Sequence, residues 1–256
     1  MANYWGAPGA IAAGANPAAL YVGDSWFWYP LDNLVVEIAA GFPGRDFVVV
    51  GRNGAEAGEW ATKGRKEIEH AFKFYASGVQ ALVLSGGGND VAGSADFLRI
   101  VADDCSGATT AGECYRAGQP DALIAALSAA YAGVILKFRA HNDGAPVFLH
   151  NYDHAWPTGQ GLFGPADWLK APMDKAKVPK ALRRELFKDL MQRLRAAQLA
   201  LARNKAAYGK VVAIASAGTL PEDASWWANE LHPTPAGFKR LAQKAFVPAL
   251  KKAIVA

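Results

Sequence analysis

The sequence is poor in cysteine, methionine and histidine, with two, three and five among 256 residues. Two cysteines cannot build the dense disulfide framework of a small secreted scaffold. Long apolar runs are missing too: no segment approaches the ~18 uninterrupted apolar residues that a membrane-spanning helix needs. An excess of either charge is absent, since Lys+Arg 27 against Asp+Glu 23 leaves a formal net charge of +4. So mild a basicity lacks the dense stripe of a nucleic-acid binder, and no nucleic-acid partner is read from it. From Met1 to Ala19 there is no Lys or Arg ahead of an apolar run, so no export signal is visible and the cytoplasm is the default compartment. Cys105 and Cys114 enclose a Gly- and Thr-rich loop. They either close it as a disulfide, which with a removed signal would imply export, or remain thiols.

What is present is a globular composition, with hydrophobic residues at 52% and charged residues at 20%. Disorder is excluded by that balance. Short apolar runs recur, each ending in a small or polar turn: Ala19–Val22, Phe47–Val50, Ala81–Leu84, Val147–His150 and Val211–Ala215. None alternates with polar residues, the pattern of buried parallel strands. Between them Leu123, Leu127, Tyr131, Val134, Ile135 and Phe138 recur at helical spacing across Asp121–His141. Leu182, Leu186, Leu190 and Leu194 do so across Lys180–Asn204, and Phe238, Leu241, Phe246 and Leu250 mark a C-terminal helix opened by Thr234-Pro235. Strands alternating with helices predict one α/β domain, a parallel sheet of about five strands covered on both faces. Residues 1–18 read as an N-terminal extension. Residues 152–178, aperiodic and rich in Gly and Pro, read as a lid or substrate loop.

In such sheets ligands bind beyond the carboxyl ends of the strands. The first turn there, Gly23-Asp24-Ser25, presents a hydroxyl that needs a base to become a nucleophile. By itself Ser25 reads more readily as a helix cap than as a nucleophile. Gly54 in the second turn offers an unencumbered N–H, and Asn89 in Gly87-Gly88-Asn89-Asp90 offers an amide donor. No phosphate-loop or dinucleotide glycine pattern is present in a strand-to-helix context. The candidate base is His232, which follows the last strand and precedes the C-terminal helix. His70 and His141 fall in helical patterns, whereas His150 and His154 close the fourth strand.

Gly23-Asp24-Ser25, Gly54, Gly87-Gly88-Asn89-Asp90 and His232-Pro233 resemble the four blocks of the SGNH (GDSL-type) hydrolase family, in order and over nearly the whole chain. The resemblance implies a flavodoxin-like, three-layer α/β/α domain that hydrolyses an acyl or acetyl ester of a lipid, sugar or small alcohol through an acyl-serine, without a cofactor. It implies Ser25 as nucleophile, His232 as general base, and the Ser25 N–H, Gly54 N–H and Asn89 side chain as oxyanion hole. Such donors contribute roughly 3 kcal/mol each.

The chain departs from the family at the position three before the histidine, where the usual Asp is Asn229, followed by Glu230. Either Asn229 orients the imidazole, or Glu230 swings in, or a backbone carbonyl leaves a Ser–His dyad; Asn229 is the favoured reading. Trp26, Trp28, Trp156 and Trp227 are candidate walls for an acyl or aryl group, against the alternative of ordinary core packing. Two other classes remain open. One is a metal-dependent phosphoesterase using Asp24, Asn89, Asp90, His150, His154 and His232. The other is an inactive ligand-binding domain of the same fold.

Overall fold

The structure, a computed structural model, describes residues 3–29 and 32–255. The first two residues of the expected N-terminal extension lie outside that range. Six parallel strands form one sheet: β1 (Asn3–Trp5), β2 (Pro17–Gly23), β3 (Asp46–Gly51), β4 (Ala81–Leu84), β5 (Val147–His150) and β6 (Val211–Ile214). Their order is β1-β3-β2-β4-β5-β6. The five expected strands are all there. The sixth, β1, comes from the segment read as an extension, which also carries the helix Ala7–Ala12. It pairs Asn3, Tyr4 and Trp5 with Phe47, Val48 and Val49.

Topology follows from handedness. From β2 the chain steps one way to β3, then back across β2 to β4, and onward to β5 and β6. Right-handed crossovers in opposite directions place their helices on opposite faces. On one face Leu34–Ala39 packs against the C-terminal helix Pro235–Leu241 and its continuation to Leu250. On the other lie Arg65–Ala71, Gln119–Arg139 and Arg183–Arg203, the last two packed against each other. β2 and β4, flanked by strands on both sides and helices on both faces, are buried along their whole length. The direction reverses between these two strands, so the crevice opens beyond their carboxyl ends.

Local chemistry sets the ends of these elements. Asn33 Oδ1 accepts from the Val36 N–H at 3.1 Å, and Thr234 Oγ1 from the Gly237 N–H at 3.2 Å, each capping a helix. Gln119–Arg139 is long and apolar enough to span a bilayer by length and composition. Here its Leu127, Tyr131, Val134, Ile135 and Phe138 are core residues of the second helical layer. Cys105 and Cys114 are buried thiols, with Cys105 Sγ donating to the Cys114 carbonyl at 3.5 Å.

Gly23 and Gly51 face each other where β2 and β3 end. At Gly51, φ is +129° and a Cβ would lie 1.9 Å from the Gly23 carbonyl oxygen. Only glycine fits there, which brings the two turns that follow these strands close together.

Candidate active site

Ser25 opens the short helix Ser25–Trp28 directly after β2. Asp24 caps it: its Oδ1 accepts from the Trp26 N–H at 3.1 Å and from Ser85 Oγ at 2.9 Å. Tyr152 Oη donates to its other oxygen. Burial pushes the Asp24 carboxyl up to about 6 despite these three donors. Tyr152 reaches it from a left-handed backbone, φ +56°, just past β5. The serine turn is thus tied to the ends of β4 and β5.

His232 stands in the loop before the C-terminal helix, with Nε2 2.7 Å from Ser25 Oγ. Its Nδ1 lies 3.0 Å from Asn229 Oδ1. An amide oxygen can only accept, so Nδ1 carries the proton and Nε2 is left to accept from the serine hydroxyl. Asn229 Oδ1 also accepts from the Leu231 and His232 N–H groups at 2.9 and 2.8 Å, which fixes the loop and the ring together. Asn229 Nδ2 donates to Tyr29 Oη at 3.0 Å. Burial holds the His232 imidazole down at about 4, so the ring is neutral near pH 7.

Ser25, Gly54, Asn89 and His232 border one cleft of about 200 Å³, together with Tyr29, Asn53, Leu162, Trp168 and Leu231. Asn89 spends one amide N–H on the Ala55 carbonyl at 3.0 Å. Asp90 accepts from the Ala57 and Gly58 N–H groups at 2.9 and 3.2 Å. The Asn89-Asp90 pair therefore grips the loop that carries Gly54. Gly54 itself is left-handed, φ +72°, with open space where a Cβ would stand.

Glu230 does not reach the histidine. Fully buried, it turns the other way and accepts from the Gly159 and Lys170 N–H groups at 2.8 Å each and from the Leu169 N–H at 3.0 Å. The stretch it holds is part of the expected lid and carries Leu162 and Trp168 to the cleft.

The four tryptophans separate. Trp26 and Trp227 border a small cavity beside Ser25 and Asn89, where Trp26 Nε1 donates to the Leu231 carbonyl at 3.0 Å. Trp28 turns away to meet Trp5 edge-on at 6.5 Å. Trp156 lies under the Arg184 guanidinium at 3.8 Å, outside both cavities next to Ser25. Tyr29 and Trp168 take their place: Tyr29 stacks on the His232 ring, and Trp168 meets it edge-on at 6.1 Å. Their signal in the sequence was only that Tyr29 follows the aromatic run after Ser25 and Trp168 closes the aperiodic stretch.

The six residues considered for a metal pair do not form one ligand set: Asn89 and His232 share the Ser25 cleft, but the other histidines turn elsewhere. His150 is buried under Trp26, its Nδ1 accepting from the Tyr152 N–H at 3.1 Å. His154 faces Asp153, and Asp153 is taken by the Gly218 and Leu220 N–H groups. Among the described residues no three His, Cys, Asp or Glu side chains gather as metal ligands.

Residues 11–240 match the GDSL-like Lipase/Acylhydrolase family. The chain belongs to that family. A comparison with curated protein sequences finds no match. Among solved structures, the fold is similar to an extracellular lipase from Streptomyces rimosus, with TM-score 0.52 and 17% identity over 93% of this chain and 99% of that one. It is also similar to a family 3 carbohydrate esterase from Clostridium thermocellum, with TM-score 0.53, 14% identity, and 93% and 98% coverage. Phospholipase A1 from Streptomyces albidoflavus NA297 aligns with TM-score 0.50 and 17% identity over 93% and 100%. At such identities the likeness is one of fold. The GDSL-like fold here has the order expected of a doubly wound sheet, with the extra edge strand β1.

Proposed function

We propose that the protein is a serine hydrolase of carboxylic esters, with Ser25 as nucleophile and His232 as general base. The observation that carries this reading is the 2.7 Å contact between Ser25 Oγ and His232 Nε2, made by a ring whose other nitrogen is held by Asn229. A neutral imidazole in that tautomer is ready to take the hydroxyl proton as Oγ attacks the ester carbonyl. The carbonyl oxygen becomes an alkoxide facing the Ser25 N–H, the Gly54 N–H and the second N–H of the Asn89 amide. Three neutral, preset donors would stabilise that charge without reorganising. The intermediate then collapses: the carbon–oxygen bond to the alcohol breaks, and His232 returns its proton to the leaving oxygen. Water, deprotonated by the same ring, attacks the acyl-serine and releases the acid and free Ser25.

Ester cleavage is also the chemistry named for the lipase and carbohydrate esterase neighbours, which supports the class of bond but not the substrate. The cleft favours a short acyl group: about 200 Å³ falls below the ~300–1,000 Å³ of sites that enclose drug-sized ligands. Leu162, Trp168 and Leu231 would line its acyl side. The substrate would be a small-molecule ester or an acylated carbohydrate, its alcohol part reaching in from solvent.

The test is hydrolysis of p-nitrophenyl acetate, butyrate and octanoate by wild type, Ser25→Ala and His232→Ala, with and without EDTA. Chelator-resistant activity is expected, best on acetate or butyrate, falling at least about 1,000-fold in either variant. Activity that survives Ser25→Ala, or that EDTA abolishes, rejects the serine mechanism.

A further inference from the structure

A buried histidine that must become an imidazolium needs something to offset its positive charge. In most serine triads a carboxylate does so. Here the partner is the neutral amide of Asn229, which orients the ring but brings no charge. Burial acts against the cation and holds the imidazole below its ordinary value.

No charged side chain bonds the ring. Asp32 Oδ1 accepts from the Asn33 N–H, and Glu37 lies near Asp32 and Lys239 without any of the three bonding His232. The others nearby are occupied elsewhere. Asp24 lies behind Ser25 and is bonded to Ser85, Tyr152 and the Trp26 N–H. Glu230 holds the 159–170 stretch, where Lys170 pairs with Asp174. Arg52, on the turn before Gly54, pairs with Glu59. On the C-terminal helix Arg240 donates to the Thr219 carbonyl.

What does face the ring is Tyr29. Its phenol lies parallel to the imidazole, centroids 4.2 Å apart and planes 12° from each other. Tyr29 is anchored through both its side chain and its backbone. Its Oη accepts from Asn229 Nδ2 at 3.0 Å, and its backbone carbonyl accepts from Asn33 Nδ2 at 3.3 Å. Phe238 packs against it at 6.5 Å. Tyr29 is itself buried, so the pair is desolvated. An aromatic face is negative at its centre and attracts a cation held above it, more strongly where water is excluded.

We propose that Tyr29 is a positioning residue for His232, whose π face stabilises the imidazolium in place of the missing carboxylate. The inference deepens the serine-hydrolase reading and rests on it. In the resting enzyme the stack fixes the ring plane between Asn229 and Ser25. In the transition state, as the Ser25 proton arrives on Nε2, the same stack becomes a cation–π contact. The anchor at Asn229 Nδ2 links the two devices, because the amide that cannot supply charge is the one that holds the phenol in place.

The test compares wild type, Tyr29→Phe and Tyr29→Leu on p-nitrophenyl acetate, with Ser25→Ala and His232→Ala as controls. Tyr29→Phe keeps the face but frees Asn229 Nδ2, so it should lose less kcat than Tyr29→Leu and keep the acid limb where wild type has it. Tyr29→Leu removes it and should lose about 3- to 30-fold in kcat, the range of an isolated cation–π contact. The pH profile separates this from simple loosening. Losing the π face moves the acid limb of kcat/KM to lower pH, because the imidazolium is less stable. Letting water in would move it up towards the ordinary histidine value.

If Tyr29→Leu does not fold, mono-, di- and trifluorophenylalanine at position 29 keep the shape while draining the face of electron density. The rate should then fall stepwise with fluorination. A flat fluorination series, or an acid limb that rises in Tyr29→Leu, overturns the role of Tyr29 while leaving the Ser25–His232 reading intact. Activity insensitive to Ser25→Ala and His232→Ala overturns both together.

Discussion

Glu230 is fully buried, and its carboxylate meets three backbone donors and nothing else. One oxygen accepts from Gly159 and Lys170, the other from Leu169. In Glu230→Gln the amide oxygen can keep the first two. Its NH₂ then opposes the Leu169 N–H, two donors with no acceptor between them. Leaving one buried donor unsatisfied costs about 1–3 kcal/mol. Because the held stretch is a loop over the cleft and not a sheet element, that cost should appear as local opening.

The three amides should therefore exchange with deuterium about 5- to 150-fold faster in Glu230→Gln, the same 1–3 kcal/mol expressed as an equilibrium ratio. The amides of β4 should be unchanged. Leu162 and Trp168 ride on this segment, so KM for longer acyl esters should rise while kcat on acetate holds. Equal exchange at Gly159, Leu169 and Lys170 in the two proteins would refute the reasoning. So would a collapse of kcat on acetate with the loop still protected, since that would mean Glu230 acts on the histidine after all.

Two further outcomes follow from burial and from close approach. His150 and His232 are held down to about 3 and about 4 by burial, against about 6.5 for an unfolded histidine. Below pH 6.5 the unfolded chain takes up protons that the folded one refuses, so their contribution is complete above pH 6.5 and is lost as pH falls towards 4. Asp24, raised to about 6, and the less strongly raised Asp32, Glu37, Glu56, Glu67 and Asp90 have the opposite sign over part of that window, whereas His154, lowered by burial, adds to the two large histidine shifts. The urea midpoint should therefore fall between pH 6.5 and pH 4, and a flat or rising midpoint would contradict it. Gly51→Ala drives a Cβ to 1.9 Å from the Gly23 carbonyl oxygen in a left-handed backbone. It should cost more than about 4 kcal/mol, in the range of severe backbone defects. A melt by circular dichroism within two or three degrees of wild type would show that the strand ends can part.

The sheet was legible wherever an apolar run was long enough to stand out. β2 to β5 each bury several consecutive residues, β6 buries Val211 and Ile214, and all stop at small or polar turns, so their positions and the crevice they frame could be read in advance. β1 could not. It is three residues at a sheet edge, Asn3, Tyr4 and Trp5, partly exposed, and only its pairing with β3 makes it a strand.

The same logic divides the site. Ser25, Gly54, Asn89 and His232 follow strand ends, and the parallel sheet carries them to one edge. The aromatics depend on side-chain direction within one helical turn. In a helix of only four residues spacing does not decide the face: Trp26 and the extended C-cap Tyr29 flank the serine, while Trp28, three residues from the serine, turns to Trp5. Composition cannot reveal that. Nor could it show that Glu230, next to Asn229, points into the opposite loop, since adjacent residues in a tight turn face different neighbours.

The Ser25–His232 contact joins positions 207 residues apart. At ribosomal speeds of about 5–20 residues per second, the second partner emerges roughly 10–40 s after the first. Every other element of the cleft, from the capped serine turn to the tryptophan at position 168, is synthesised in that interval. On the proposed serine-hydrolase reading, a nascent chain displays its hydroxyl and amide donors for many seconds before His232 arrives, and should be silent towards esters until its last turn docks. Turnover then reports completed folding: damage to the docking of Pro235–Leu241 against Leu34–Ala39 should extinguish it while the sheet still stands.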